Sequence, residues 1–327
     1  MNGLYPLKFK PQYLEKIWGG EKIRTVLGKD FGNLPNCGES WEISGVEGNI
    51  SVVSNGFLAG NNLQELIEIY MGDLVGEKNY DKFGIEFPLL IKFIDAREDL
   101  SIQVHPNDEL SKKRHNAYGK TEMWYVIDAG KGGKLNLGFN RELTKEQYLK
   151  LVNEGKLMDV LNFKEVKQGD VFFMPAGRVH AIGAGVMVAE IQQASDVTYR
   201  IFDFNRKGPN GKERELHTSL ALDAIDFTFH NDYQISYKKQ ANKPVELVSC
   251  EYFTTNLVEL NKPVEKDFYH ADTFVIYMCL EGGLELQYPR GTESLKKGEI
   301  LLVPASISSF VLKPLSAEVK TLEVFAG

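Results

Sequence analysis

GDVFFMPAGRVH (residues 169–180) is a glycine, an acid, four apolar residues, a Pro-Ala-Gly turn and, three residues beyond it, a histidine. Its apolar run is short and bounded by turn residues, so it reads as a buried strand feeding a tight turn. The chain repeats the pattern at GEILLVPASISS (298–309), where Ser309 stands in the place of His180. Upstream of each copy lies a matching strand and turn, MWYVIDAGKGG (123–133) and FVIYMCLEGGL (274–284). Two related β-rolls follow, one carrying a ligand-type side chain and one without it.

Working outward, EISGVEGNISVV (42–53) and VMVAEIQQ (186–193) are further strands rich in β-branched residues, closely spaced and separated by glycine and polar turns. This spacing favours a mainly β protein, a jelly roll rather than βαβ units. Helical patterns are few: NLQELIEIYMGDLVG (62–76), LTKEQYLKLVNEGKLMDVLN (143–162), which opens on a Thr144/Gln147 capping box, and HTSLALDAIDF (217–227). They read as a small helical insertion and as edges around the β core. The polar, proline-bearing ISYKKQANKPVELVSC (235–250) divides the chain into 1–240 and 241–327.

The 327 residues are 43% apolar and 25% charged, with a net charge of −7, which suits a globular protein with ample core. No basic block stands out, so no nucleic-acid partner is expected, and any anion site must be locally positive. No apolar run approaches the roughly 18 residues that span a bilayer, and the N-terminus shows no leader pattern, so no membrane is expected. Cys37, Cys250 and Cys279 are odd in number and widely spaced, which fits a reducing cytoplasm without a disulfide framework.

In SIQVHPNDE (101–109), Gln103 and His105 are two apart, so on a strand they share a face. Glu122 begins the strand EMWYVIDA, and His180 follows the strand 171–175 and a Pro-Ala-Gly turn. Neighbouring strands of a roll can bring the four together as a divalent-metal site with room for water or substrate. Taken singly, each has a plainer reading. A histidine at a strand end usually packs or caps a turn, and Glu122 could pair with Lys120. Two histidines and a carboxylate also suit non-haem iron.

GDVFFMPAGRVH matches the cupin pattern G-x5-P-x-G-x2-H through Gly169, Pro175, Gly177 and His180. With SIQVHP, GKTEMW, PAGRVHAIG and EIQQASDVTYRIFDF in order, and with WGG (18–20) and GESWEIS (38–44), the chain resembles type I mannose-6-phosphate isomerases of the short bacterial form, within the cupin superfamily. The resemblance implies two cupin-like rolls: a metal-binding catalytic domain over 1–240 and a ligand-free roll over 241–327. It implies one zinc ion per chain held by Gln103, His105, Glu122 and His180. The implied reaction interconverts mannose 6-phosphate and fructose 6-phosphate through an enediol.

The same resemblance implies catalytic roles for Arg200, Glu190 and Lys120, and substrate contacts from Ser101, Lys120 and Asp196, with Arg206 as a second phosphate candidate. The partner is a small sugar phosphate, and the assembly is a monomer or homodimer. Ile182 departs from the family, which often carries an aromatic there. His115 is expected at the surface and Lys112–Arg114 in a solvated loop, while His217 caps or precedes the third helix. His230 and His270 fall outside every motif. Competing readings are a non-haem iron cupin oxygenase and a non-catalytic sugar-binding cupin. The Gln103 ligand and the Ser101, Lys120 and Arg200 set argue against the oxygenase, and the presence of Arg200 and Glu122 argues against the non-catalytic protein.

Overall fold

The computed structural model describes residues 3–208, 211–230 and 232–327. Among the described residues, eleven strands precede residue 240: β1 (Gln12–Gly20), β2 (Cys37–Ser44), β3 (Leu89–Ala96), β4 (Ile102–Val104), β5 (Glu122–Ala129), β6 (Lys134–Phe139), β7 (Leu161–Glu165), β8 (Val171–Met174), β9 (His180–Ile182), β10 (Val186–Gln193) and β11 (Tyr199–Phe202). They form a six-stranded sheet in the order β1-β2-β3-β10-β5-β8 and a five-stranded sheet in the order β11-β4-β9-β6-β7. Strands from Pro244 to Ala326 make two further sheets, of five and four strands. The architecture is the expected pair of β-rolls, with few helices.

Strand alternation sorts the side chains into layers. Between the two sheets of the first roll, Ile94, Val126 and Val188 meet Leu135, Leu137 and Ile182 in a dry core. This is where Ile182 spends its side chain. Further along the same strands, on the same inner face, come Lys92, Glu190, Trp124 and Glu122, so the roll is apolar at one end and charged at the other. The outer face of the six-stranded sheet (Leu89, Ile91, Phe93, Ala189, Ile191) packs on Ile276, Met278, Leu302 and Val324 of the second roll in one continuous core. The strand Val275–Glu281 pairs antiparallel with Ile300–Val303 as β5 pairs with β8, in keeping with the internal echo of the two segments. Val275 faces Val303 where Glu122 faces Met174 in the first roll.

Three helical segments form where the patterns predict. The first, Leu63–Val75, opens on Asn62 in a capping box with Glu65. The second is shorter than expected: Lys145–Asn153 carries the Thr144/Gln147 capping box, but the chain turns at Gly155, then forms a 3₁₀ turn (Leu157–Val160) and β7. The third, Thr218–Ala224, covers the outer face of the five-stranded sheet through Ala221. Lys112–Arg114 lie in a helix, Asp108–His115, rather than in a loop; Asn107 caps it, and Arg114 pairs with Asp223. No described helix is long and apolar enough to cross a membrane.

Close approach explains the glycines of WGG and GESW. A Cβ on Gly19 would come 2.4 Å from the backbone nitrogen of Gly38, and one on Gly38 would come 2.7 Å from the side chains of Lys16 and Trp18, so neither position has room for a side chain.

Candidate metal and substrate site

The five-stranded sheet supplies one wall. Arg200 on β11 stands directly opposite Gln103 on β4, and Gln103 directly opposite His180 on β9. Such partners hold their Cβ atoms within about 5.5 Å of each other. The six-stranded sheet supplies the other wall, where Glu190 on β10 lies between Lys92 on β3 and Trp124 on β5. Glu122 opens β5 one residue pair further along, opposite Gln192.

His180 reaches the site through Gly177. That residue has φ +93° and bridges two loops: its N–H donates to His105 O at 2.9 Å, and its carbonyl accepts from Asp226 N at 2.8 Å. A Cβ there would sit 3.0 Å from Ala224 O, so the turn requires glycine on both counts.

His105, Glu122 and His180 are fully buried, and their ligand atoms lie within 4.8 Å of one another. His105 Nδ1 lies 2.9 Å from Val197 O, and His180 Nδ1 lies 2.8 Å from Arg178 O. Each Nδ1–H therefore donates to a carbonyl, and each Nε2 lone pair points inward. The two Nε2 atoms are 3.1 Å apart. Glu122 Oε1 is 3.4 Å from His180 Nε2, and Glu122 Oε2 is 3.6 Å from His105 Nε2. Gln103 places its amide nitrogen, Nε2, 3.4 Å from His180 Nε2, so its oxygen would face an ion there only with the amide turned over. Ligands at about 2.0–2.1 Å around a tetrahedral ion stand about 3.3 Å apart, so this spacing fits a shared cation. Inward-facing lone pairs this close otherwise repel, and buried Glu122 Oε1 has no hydrogen-bond partner. The donor set thus fits a divalent metal.

The electrostatics agree. Burial, with the nearby Lys120 ammonium, lowers the His105 pKa well below its ordinary value and that of His180 to about 3, so both rings are neutral. Burial and the neighbouring Glu190 push Glu122 up to about 7. Burial would raise Glu190 as well, but Lys120 and Lys92 outweigh it and hold that carboxyl low and ionised. Lys120 Nζ lies among these groups, 3.1 Å from His105 Nε2, paired with Glu122 and 3.8 Å from Glu190.

Other candidates fall at varying distance from this centre. Ser101 is buried just ahead of β4. Arg200 donates to Glu215 O at 2.9 Å, and its Nε is buried without a partner. Asp196 is exposed on the loop between β10 and β11, so the guanidinium of Arg200 is held by a backbone carbonyl rather than by that carboxylate. Arg206 is tied to Asp203 and to Asp99 O, and Arg214 shares Asp203 with it. His115 is exposed and contacts Tyr199 Oη at 2.8 Å, whereas His217 precedes the third helix and accepts from Arg200 N. Two surface hollows, one lined by Lys239, Glu259 and Lys320 and the other by Tyr5, Phe57 and Arg290, contain none of the clustered residues.

Sequence reasoning missed Lys92, Glu39, Trp124 and Arg214. Lys92 had a signal: one charge inside the apolar run FPLLIKFI (87–94).

A family model described as the phosphomannose isomerase type I catalytic domain matches residues 6–132, and one described as the mannose-6-phosphate isomerase cupin domain matches residues 243–318. The chain is 36% identical to mannose-6-phosphate isomerase ManA of Bacillus subtilis over 314 residues, covering 94% of this chain and 96% of that protein. It is 33% identical to the mannose-6-phosphate isomerase of Streptococcus mutans over 306 residues, covering 93% and 94%. The solved structure of the mannose 6-phosphate isomerase from Bacillus subtilis superposes with a TM-score of 0.87 at 32% identity, covering 98% of this chain and 99% of that one.

Proposed function

The chain belongs to the type I phosphomannose isomerase family and is a mannose-6-phosphate isomerase, and from that premise we propose that one zinc ion, held by Gln103, His105, Glu122 and His180, serves an enediol isomerisation of the sugar phosphate. The supporting observation is the pair of histidines, each pinned at Nδ1 by a carbonyl, with their Nε2 atoms 3.1 Å apart beside the unpartnered Glu122 Oε1.

The reaction removes a proton from C2 of the open aldose, passes through an enediol and returns a proton to C1 to give the ketose. When bound, zinc supplies Lewis-acid stabilisation of charge on the sugar oxygens. Glu190, ionised between Lys92 and Lys120, accepts the carbon-bound proton. Lys120, within reach of both Glu122 and Glu190, donates to the sugar oxygens as their charge changes. Arg200 has a permanent charge and stabilises the developing enediolate. Ser101, Lys120 and Asp196 bind the sugar phosphate, and Arg206 lends positive charge to the phosphate. The working unit is 1–240, with 241–327 as its supporting roll. The free thiols fit a cytoplasmic, reducing setting.

The test is conversion of mannose 6-phosphate by purified protein before and after chelation, then with zinc or iron restored. Activity lost with chelator and recovered with zinc supports the reading. Full activity in metal-free protein, or recovery with iron alone, overturns the zinc assignment.

A further inference from the structure

The inner face of the six-stranded sheet carries a row of alternating charges that begins well outside the cluster of possible metal ligands. Lys16 on β1 lies 3.2 Å from Glu39 Oε1 on β2. Glu39 Oε2 lies 3.8 Å from Lys92 Nζ on β3, which lies 2.8 Å from Glu190 Oε1 on β10. Trp41 fixes the near end: its Nε1–H donates to Glu39 Oε2 at 2.7 Å, and its ring lies 5.8 Å beneath Lys92 Nζ. Glu39, Lys92 and Glu190 are 9%, 6% and 2% exposed, so solvent screens these contacts poorly.

Two cations and two anions in a row balance, which is what permits four charges to line one sheet face. The balance fails if Glu39 is neutralised. Lys92 then has one carboxylate instead of two and draws closer to it, pulling Glu190 toward β3 and away from Lys120. Glu39 itself is separated from the site by the Lys92 side chain.

We propose that Glu39 is a positioning residue for the isomerisation, acting through Lys92 on the placement of Glu190. The proposal rests on the reading of Glu190 as the carboxylate that accepts the proton. Loss of a partner that orients a metal ligand typically costs about 10–100-fold in affinity or activity, and the lower end of that range is the effect expected of a group that orients Glu190. The test compares Glu39→Gln, whose amide oxygen still accepts from Trp41, with Glu39→Asp, Glu190→Gln and the double variant Glu39→Gln/Glu190→Gln. Expected is a kcat about tenfold lower for Glu39→Gln, with KM within about twofold, partial recovery in Glu39→Asp, and unchanged metal content. The double variant should be no slower than Glu190→Gln alone, because both changes act at one group.

Wild-type kcat in Glu39→Gln, or losses that multiply in the double variant, overturns the proposal. Full activity in Glu190→Gln instead overturns the role of Glu190, and that result is visible without reference to Glu39. If Glu39→Gln does not fold, Trp41→Phe, which removes the N–H that fixes the carboxylate, carries the same readouts: lower kcat at constant KM supports the proposal and wild-type kcat overturns it.

Discussion

His105 and His180 turn their Nε2 atoms toward each other across 3.1 Å, and each ring is locked from behind by a main-chain carbonyl. The spacing of such a pair suits a shared cation.

His105→Ala and His180→Ala should each remove bound metal and lower turnover by at least about a hundredfold. Metal content by mass spectrometry and steady-state kinetics on the same samples check this. Either variant with full metal content and full activity would remove that histidine from the ligand set.

Arg200→Ala should keep its metal, because the guanidinium is bound to Glu215 O rather than to the cluster. Its kcat/KM should fall on the order of a hundredfold, since it loses charge stabilisation in the transition state. Undiminished turnover would contradict the mechanism at its most specific point.

Gly177→Ala places a Cβ in a φ +93° backbone, 3.0 Å from Ala224 O. A cost on the order of 1–3 kcal/mol is expected, felt at His180 as weaker metal retention. A lower melting temperature together with faster metal loss to a chelator is the expected pair of results. A wild-type melting curve would show that the turn yields freely.

Glu39 gives a pH prediction with a definite sign. Burial alone would raise its pKa, but Lys92 and Lys16 reverse this and hold it at about 2 against an ordinary 4.5. The folded state therefore resists a proton that the unfolded chain accepts between those values. The resulting stabilisation is complete above pH 4.5 and drains as pH falls toward 2. The melting-temperature gap between wild type and Glu39→Gln should be widest near neutrality and close with acid; a gap independent of pH would show that Glu39 does not titrate against these lysines.

Much of the site was legible because its signals are local. Gln103 and His105 share a strand face by alternation, and the position of His180 follows from a turn whose Gly177 has no substitute. The charges behind Glu190 were not legible in the same way. Lys92 and Glu190 become neighbours only because β10 inserts between β3 and β5, a crossover of about ninety residues that no short window reveals, and Glu39 joins them through the separate β2–β3 pairing. The helix at 108–115 is hidden in the sequence because six of its eight residues are charged or histidine and it shows no apolar stripe, whereas the 143–162 pattern outruns its helix because LMDVLNF continues the apolar content beyond Gly155.

The outer face of the six-stranded sheet belongs to a core that it shares with the second roll. Folding cooperativity follows from that sharing: neither roll can melt and leave the other with a dry face, so unfolding should be a single transition. A damaging substitution at Met278 or Leu322 would then act on dosage, leaving fewer folded molecules, each with normal kinetics.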